Sequence, residues 1–199
     1  MSAYGALAAW YDALTRDVDY AAFADFYEQC FQQGRGESHT LLDFCCGTGT
    51  LTRLMAARGY EMIATDGSPD MLMQAQAHNA QLPPDAVAPV YLCQRMERLD
   101  LYGTVDAAVC CLDGVGYVTN PATLARAFSR VRLFMNPGGV FIFDVNSAYR
   151  LRHLNEEAFT RECDRAFCVY QADFSEKTQV LTYTLDLFER EGRLYRRST

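Results

Sequence analysis

The chain has 199 residues, half of them apolar, enough for one substantial core and an appendage. A formal net charge of −7, with no basic stripe, excludes DNA and RNA as partners, because phosphate contacts dominate their binding. No stretch of about 18 apolar residues predicts a membrane span, and no basic-then-apolar signal opens the chain.

Tyr4, Leu7, Ala8, Tyr11 and Leu14 recur at helical spacing, and Phe23, Tyr27, Cys30 and Phe31 mark a second helix that stops near Gly34. Asp17-Val18-Asp19-Tyr20 is a turn between them. An aromatic stripe at this spacing also suits plain core packing. Residues 33–39 form a polar, glycine-containing linker.

The chain is organised around Leu41-Leu42-Asp43-Phe44-Cys45-Cys46-Gly47-Thr48-Gly49-Thr50. A short apolar run reaches an acid, a glycine-bearing turn follows, and a helix closed by Gly59 comes next. Gly47 and Gly49 let the backbone approach a ligand, and the helix N-terminus behind them offers N–H groups. Asp43 narrows the ligand: a carboxylate there repels a pyrophosphate but holds a cation by charge-assisted bonds. Thr52 stands where a dinucleotide fingerprint wants its third glycine. Residues 61–66 read as the second strand. They end in Asp66, 17 residues past Gly49 and placed to accept ribose hydroxyls.

Residues 41–72 resemble motifs I and II of the class I S-adenosylmethionine (SAM)-dependent methyltransferases, whose usual form is Leu-Asp-x-Gly-Cys-Gly-Thr-Gly. Asp43, Cys46, Gly47, Thr48 and Gly49 match, while Cys45 replaces the first glycine. Later segments extend the likeness over roughly residues 4–146. The resemblance implies an α/β, three-layer Rossmann-like methyltransferase fold with a mostly parallel sheet in the order 3-2-1-4-5. It implies SAM as cofactor and a small-molecule methyl acceptor. Tyr4 and Tyr11, in a Tyr-x(6)-Tyr-Asp pattern, resemble a lid helix over the cofactor.

Ser68-Pro69-Asp70 starts a helix with a cap, an N1 proline and an early acid. In the family its first turn abuts ribose and adenine, which singles out Gly67, Ser68 and Met71. Met71 equally reads as core filler. Residues 90–93 are the third strand, followed by Gln94-Arg95-Met96-Glu97. Relatives carry aspartate at the Arg95 position to accept from the adenine amino group, whereas arginine only donates. Arg95 is expected to turn outward, toward Glu97 or Asp100, while Gln94, Met96 and backbone groups frame the adenine.

Residues 105–111 form the fourth strand, apolar as a strand covered on both faces should be, with Cys111 at its ligand end. Asp113 and Tyr117 follow at the carboxyl edge and are substrate-side candidates, although Asp113 also reads as a cap on its glycine-rich turn. Asn120-Pro121 opens a helix with Leu124, Phe128, Val131 and Met135 on one stripe. Residues 136–139 turn the chain and 140–143 form the fifth strand. Beyond it, Asp144 or Asn146 could orient a nucleophile or satisfy loop backbone.

From Ser147 the pattern changes. Residues 150–163 are weakly helical, and 167–170, 180–188 and 194–195 read as strands. Leu181, Tyr183, Leu185 and Leu187 alternate with Thr182, Thr184 and Asp186, as in an antiparallel sheet wet on one side. The expected division is therefore 1–146 as SAM-binding domain, with 1–34 as lid helices, and 147–199 as a small antiparallel β appendage. If so, the last two strands of the family fold have no counterpart by Thr199 and the fifth strand is an edge, where a homodimer could form, as it could through the appendage.

Eight cysteines include no Cys-x-x-Cys and no zinc-type spacing, which points to reduced thiols, no metal and a cytoplasmic protein. His39, His78 and His153 read as solvated, so no general base is assigned. A catalytically weak or inactive nucleoside-binding domain of the same fold is the alternative, and a NAD(P)-linked oxidoreductase comes third, disfavoured by Asp43 and Thr52.

Overall fold

The computed structural model describes residues 4–34, 38–154 and 158–199. Two compact units emerge, one of Asp19–Val145 together with Tyr4, the other of Gly5–Val18 with Asn146–Thr199.

In the first unit five strands run parallel: β1 (Thr40–Phe44), β2 (Glu61–Asp66), β3 (Val90–Cys93), β4 (Val105–Cys110) and β5 (Met135–Phe143). Their order is β3-β2-β1-β4-β5, as expected from the sequence. Strand alternation divides the core into two layers. Leu41, Ala107 and Val109 face Tyr27 and Phe31 of α3 (Tyr20–Phe31) and Leu51 and Met55 of α4 (Thr50–Ala57). Leu42, Phe44, Ala108 and Cys110 face Ala127 and Val131 of α6 (Pro121–Phe134).

The helix starts follow local chemistry. Asp19 accepts from the Ala22 N–H at 2.9 Å to cap α3, and Asn120 accepts from Thr123 at 3.0 Å to cap α6. Ser68 accepts from Met71 at 3.4 Å ahead of α5 (Pro69–Ala77). Each such cap contributes about 1 kcal/mol.

Strand β5 starts earlier than the glycine-rich turn suggests. Met135 pairs with Val105, the register then shifts, and Ala107 pairs with Val140. Gly138, at φ 90°, sits in that irregularity.

In the second unit a four-stranded antiparallel sheet has the order β6-β7-β8-β9, from β6 (Ala158–Cys163), β7 (Ala166–Ser175), β8 (Val180–Glu191) and β9 (Leu194–Ser198). Residues 158–163, expected to be weakly helical, are a strand instead. Pairing along β7 outweighs a weak local helix preference, and only α7 (Ala148–His153) is helical there. The N-terminal segment forms two short helices, α1 (Gly5–Ala8) and α2 (Tyr11–Leu14), not one. The Trp10 indole donates to Glu189 at 2.8 Å, and Arg161 donates to the Leu14 carbonyl at 3.0 Å and pairs with Asp17. These bonds hold that segment on the sheet face that buries Cys168, Ala172 and Leu187. Among the described residues no helix is long and apolar enough to cross a membrane.

Candidate functional site

The chain leaves β1 through Cys45, which takes a left-handed φ of 72° despite its side chain. Its N–H and that of Cys46 both donate to the Thr65 carbonyl, at 2.8 and 3.0 Å, tethering the loop to β2. A neighbouring glycine makes room for this cysteine. A Cβ on Gly114 would lie 3.1 Å from the Cys45 Cβ and 2.6 Å from the Cys110 Sγ.

The two loop glycines differ. Gly47, at φ 55°, donates its N–H to Asp66 Oδ2 at 2.9 Å, and a Cβ built on it would meet nothing within 4 Å. Gly49, at φ 73°, is packed: a Cβ there would lie 2.9 Å from the Tyr91 hydroxyl and 3.0 Å from the Ala75 Cβ. Gly47 therefore faces open space, while Gly49 lets the loop pass under Tyr91.

Asp43 is fully buried, and its Oδ2 accepts the Thr52 hydroxyl at 2.5 Å. Its Oδ1 is buried without a partner among the described residues. Burial pushes its pKa up to about 7 against the lowering bond from Thr52, and nearby Asp66 adds to the rise. At the tip of β2, Asp66 accepts from Gly47 through Oδ2 and from the Ser68 N–H through Oδ1 at 2.8 Å. Burial raises its pKa despite those backbone bonds. The Gly67 N–H also bonds this carboxylate, which with about four lone-pair sites keeps capacity for a ligand hydroxyl.

Met71 and Met96 are buried, and Ser68 serves as a helix cap. The Gln94 amide brackets the Asp100 backbone, donating to its carbonyl at 3.0 Å and accepting its N–H at 2.9 Å. Its own N–H donates to the Asp66 carbonyl at 3.0 Å. Arg95 is exposed, with its stem 3.8 Å from where a Gly67 Cβ would be. Asp100, one partner expected for Arg95, pairs instead with Arg130 at 3.0 Å.

At the carboxyl end of β4, burial pushes up the Cys111 thiol, with Asp43 and Asp144 adding to the effect. Leu112 and Asp113 both take left-handed φ values, 57° and 59°. The Asp113 N–H donates to Asp144 Oδ2 at 2.7 Å, and Asp144 Oδ1 is buried without a partner among the described residues. The Tyr117 ring is exposed, and its hydroxyl meets that of Tyr4. Desolvation of that hydroxyl raises its pKa against the lowering bond from Tyr4, with Asp113 and Asp66 nearby.

Tyr11 and Asn146 belong to the second unit, where Tyr11 neighbours Arg161 and Tyr170. Sequence reasoning missed Thr52 as the donor to Asp43 and Tyr91 as the group over Gly49; for Asp144 it offered satisfaction of loop backbone, the role seen in its bond from the Asp113 N–H. Of the two missed, only Thr52 left a signal, a polar residue on the buried stripe of α4.

The arrangement suits a nucleoside carrying a positive charge. An unpaired oxygen of a buried carboxyl wants a cation, Asp66 keeps capacity for a hydroxyl, and the space beside Gly47 is open. Residues 41–139 match the family model described as a methyltransferase domain. A methyltransferase of Geobacillus sp. strain WCH70 is 30% identical over 156 residues, 78% of this chain, and the chain spans 62% of that relative's length. The crystal structure of a SAM-dependent methyltransferase from Clostridium acetobutylicum ATCC 824 superimposes with a TM-score of 0.81 at 31% identity. That superposition covers 96% of this chain and 77% of the other. A more distant fold likeness is an amino pentose methyltransferase from Micromonospora echinaspora, at 19% identity and a TM-score of 0.73 over 94% of this chain and 78% of the other.

Proposed function

We propose, because this chain belongs to the class I SAM-dependent methyltransferases, that its first unit binds SAM and methylates a small molecule. The observation that carries this is Asp43, fully buried with one oxygen unpaired and its proton held up to about pH 7. A cationic amino-acid group would pair that oxygen and favour its ionised form. In the same reading Asp66 accepts the ribose hydroxyls, Gly47 leaves its backbone open, and Met71 and Met96 flank the adenine. Cys45 and Cys111 line the loop and strand end beside the amino-acid group, and Gly49 shapes the loop under Tyr91. Arg95, one of the two features on which the non-catalytic alternative rests, is exposed, which supports the catalytic one.

When bound, the cofactor supplies an electrophilic methyl carbon on a sulfonium. The protein's part is orientation and exclusion of water. Asp113 and Tyr117, on the turn after β4, are the groups that face the acceptor. The eight reduced cysteines support a reducing compartment.

Calorimetric titration with SAM, S-adenosylhomocysteine and NAD, each separately, tests this reading. Binding of the first two without the third is expected. Binding of NAD alone would overturn the assignment.

A further inference from the structure

We infer that Arg53 and Tyr91 are positioning residues for the nucleoside: together they clamp the backbone at Gly49 and hold the glycine loop in its binding form. This rests on the cradle proposed above and adds to it two side chains that act through the loop.

The loop needs such a hold. It leaves β1 through three left-handed residues, Cys45, Gly47 and Gly49, and its glycines leave many other conformations within reach. Gly49 is the N-cap of α4 and has no side chain with which to cap it. Gly47 is tied to Asp66, the same group that receives the ribose in the proposed cradle.

Arg53, one turn into α4, straddles Gly49. Its guanidinium donates to the Thr48 carbonyl at 2.7 Å and to the Thr50 hydroxyl at 3.3 Å. The Gly49 N–H donates to the Cys46 carbonyl at 2.9 Å, so the peptide between Thr48 and Gly49 is held at both ends. It cannot flip without breaking both bonds. Tyr91, on β3, covers Gly49, with its hydroxyl 2.9 Å from where a Cβ would be. That hydroxyl accepts from Arg53 and donates to Asn79 Oδ1, just past α5, at 3.2 Å. Burial pushes its pKa up to about 12 against the bond from Arg53, so it stays a donor at neutral pH.

These bonds join two parts of the cradle that are distant in sequence: the loop after β1, and α5, whose first turn carries Met71. Ala75 of α5 packs at the same joint, its Cβ 3.0 Å from where a Gly49 Cβ would lie. The guanidinium bonds are charge-assisted and stronger than the neutral ones around them. Asp66 also accepts from the Gly67 and Ser68 N–H groups on its own strand end. Loss of the clamp therefore frees the loop and leaves the acid in place. A loop that keeps its binding form about a tenth of the time binds about tenfold more weakly.

The test is calorimetric titration of S-adenosylhomocysteine into the native chain, Arg53→Met, Arg53→Lys and Tyr91→Phe, with amide hydrogen exchange on each ligand-free protein. Arg53→Met should weaken binding about tenfold or more and speed exchange at the Gly47 and Gly49 amides by a similar factor. The core amides of Leu42 and Ala108 should keep their native rates. Arg53→Lys restores a charged donor and should bring affinity and loop exchange back to within about threefold of native. If Arg53→Met does not fold, Tyr91→Phe, which keeps the ring and drops the hydroxyl, should show the same pattern at about threefold or more. Native affinity in both Arg53→Met and Tyr91→Phe overturns the inference and leaves the cradle intact. Exchange that rises equally in loop and core, or a lysine variant no better than the methionine one, overturns it too, because the role is then general packing. If the native chain does not bind S-adenosylhomocysteine, the cradle falls and the inference with it.

Discussion

Asp43 carries a pH signature that follows from its burial. Its carboxyl holds a proton up to about pH 7 when folded, against an ordinary value of 3.8. Between those values the folded state binds more protons than the unfolded one, so stability falls as pH rises. The contribution is fully present below about pH 4 and is lost as pH passes through 7, a cost on the order of 4 kcal/mol at most. Asp43→Asn should therefore raise ligand-free stability at pH 8 and leave it nearly unchanged at pH 4, as read by urea denaturation. Destabilisation at pH 8 would mean that the charge is already paired. SAM affinity of the native chain should climb from pH 6 to pH 8, and this climb should vanish in the Asn variant. Asp43 and Asp66 were legible in the sequence because strand periodicity puts both at carboxyl ends. Thr52 was not, because its role depends on facing Asp43 across the loop; by spacing alone it is only a missing glycine.

The glycine loop separates two roles that look alike in sequence. Gly49→Ala forces a Cβ to within 2.9 Å of the Tyr91 hydroxyl at a left-handed φ, and should cost roughly 2–4 kcal/mol of stability. Tyr91→Phe in that background should recover part of the loss, since it removes the crowding oxygen. Gly47→Ala meets no neighbour and should cost only about 1–2 kcal/mol, for its left-handed φ. Its main effect should fall on nucleoside affinity. Equal stability losses in the two variants, measured by denaturation, would contradict this division. At this scale the strands and caps of the parallel sheet were legible, since Asn120-Pro121 and Ser68-Pro69 specify helix starts through their own side chains. The early start of β5 and the strand at 158–163 were not, because each is set by a partner strand and not by local preference.

Across the whole molecule, two compact units arise from one change of pattern: near-continuous apolar strands up to Phe143, and alternating strands after Ala158. The sheet order followed from resemblance, while the assignment of Gly5–Val18 to the unit of the antiparallel sheet rests on Trp10, Leu14 and Asp17 meeting residues more than 140 positions away. All eight cysteines are free; burial raises the pKa of Cys46, Cys111 and Cys168, and the hydrogen bond with Cys45, with burial, raises that of Cys110, which keeps those thiols protonated and slow to oxidise. Thiol titration of denatured, unreduced protein should count eight; a shortfall of two or more would show a disulfide and contradict a reduced chain. The most direct measurement of the central claim is the affinity of S-adenosylhomocysteine for the native chain and for Asp66→Ala. Loss of the charge-assisted bonds to the ribose hydroxyls should weaken binding roughly 30- to 1000-fold in a folded variant. Unchanged affinity would mean that this sheet edge does not hold the nucleoside.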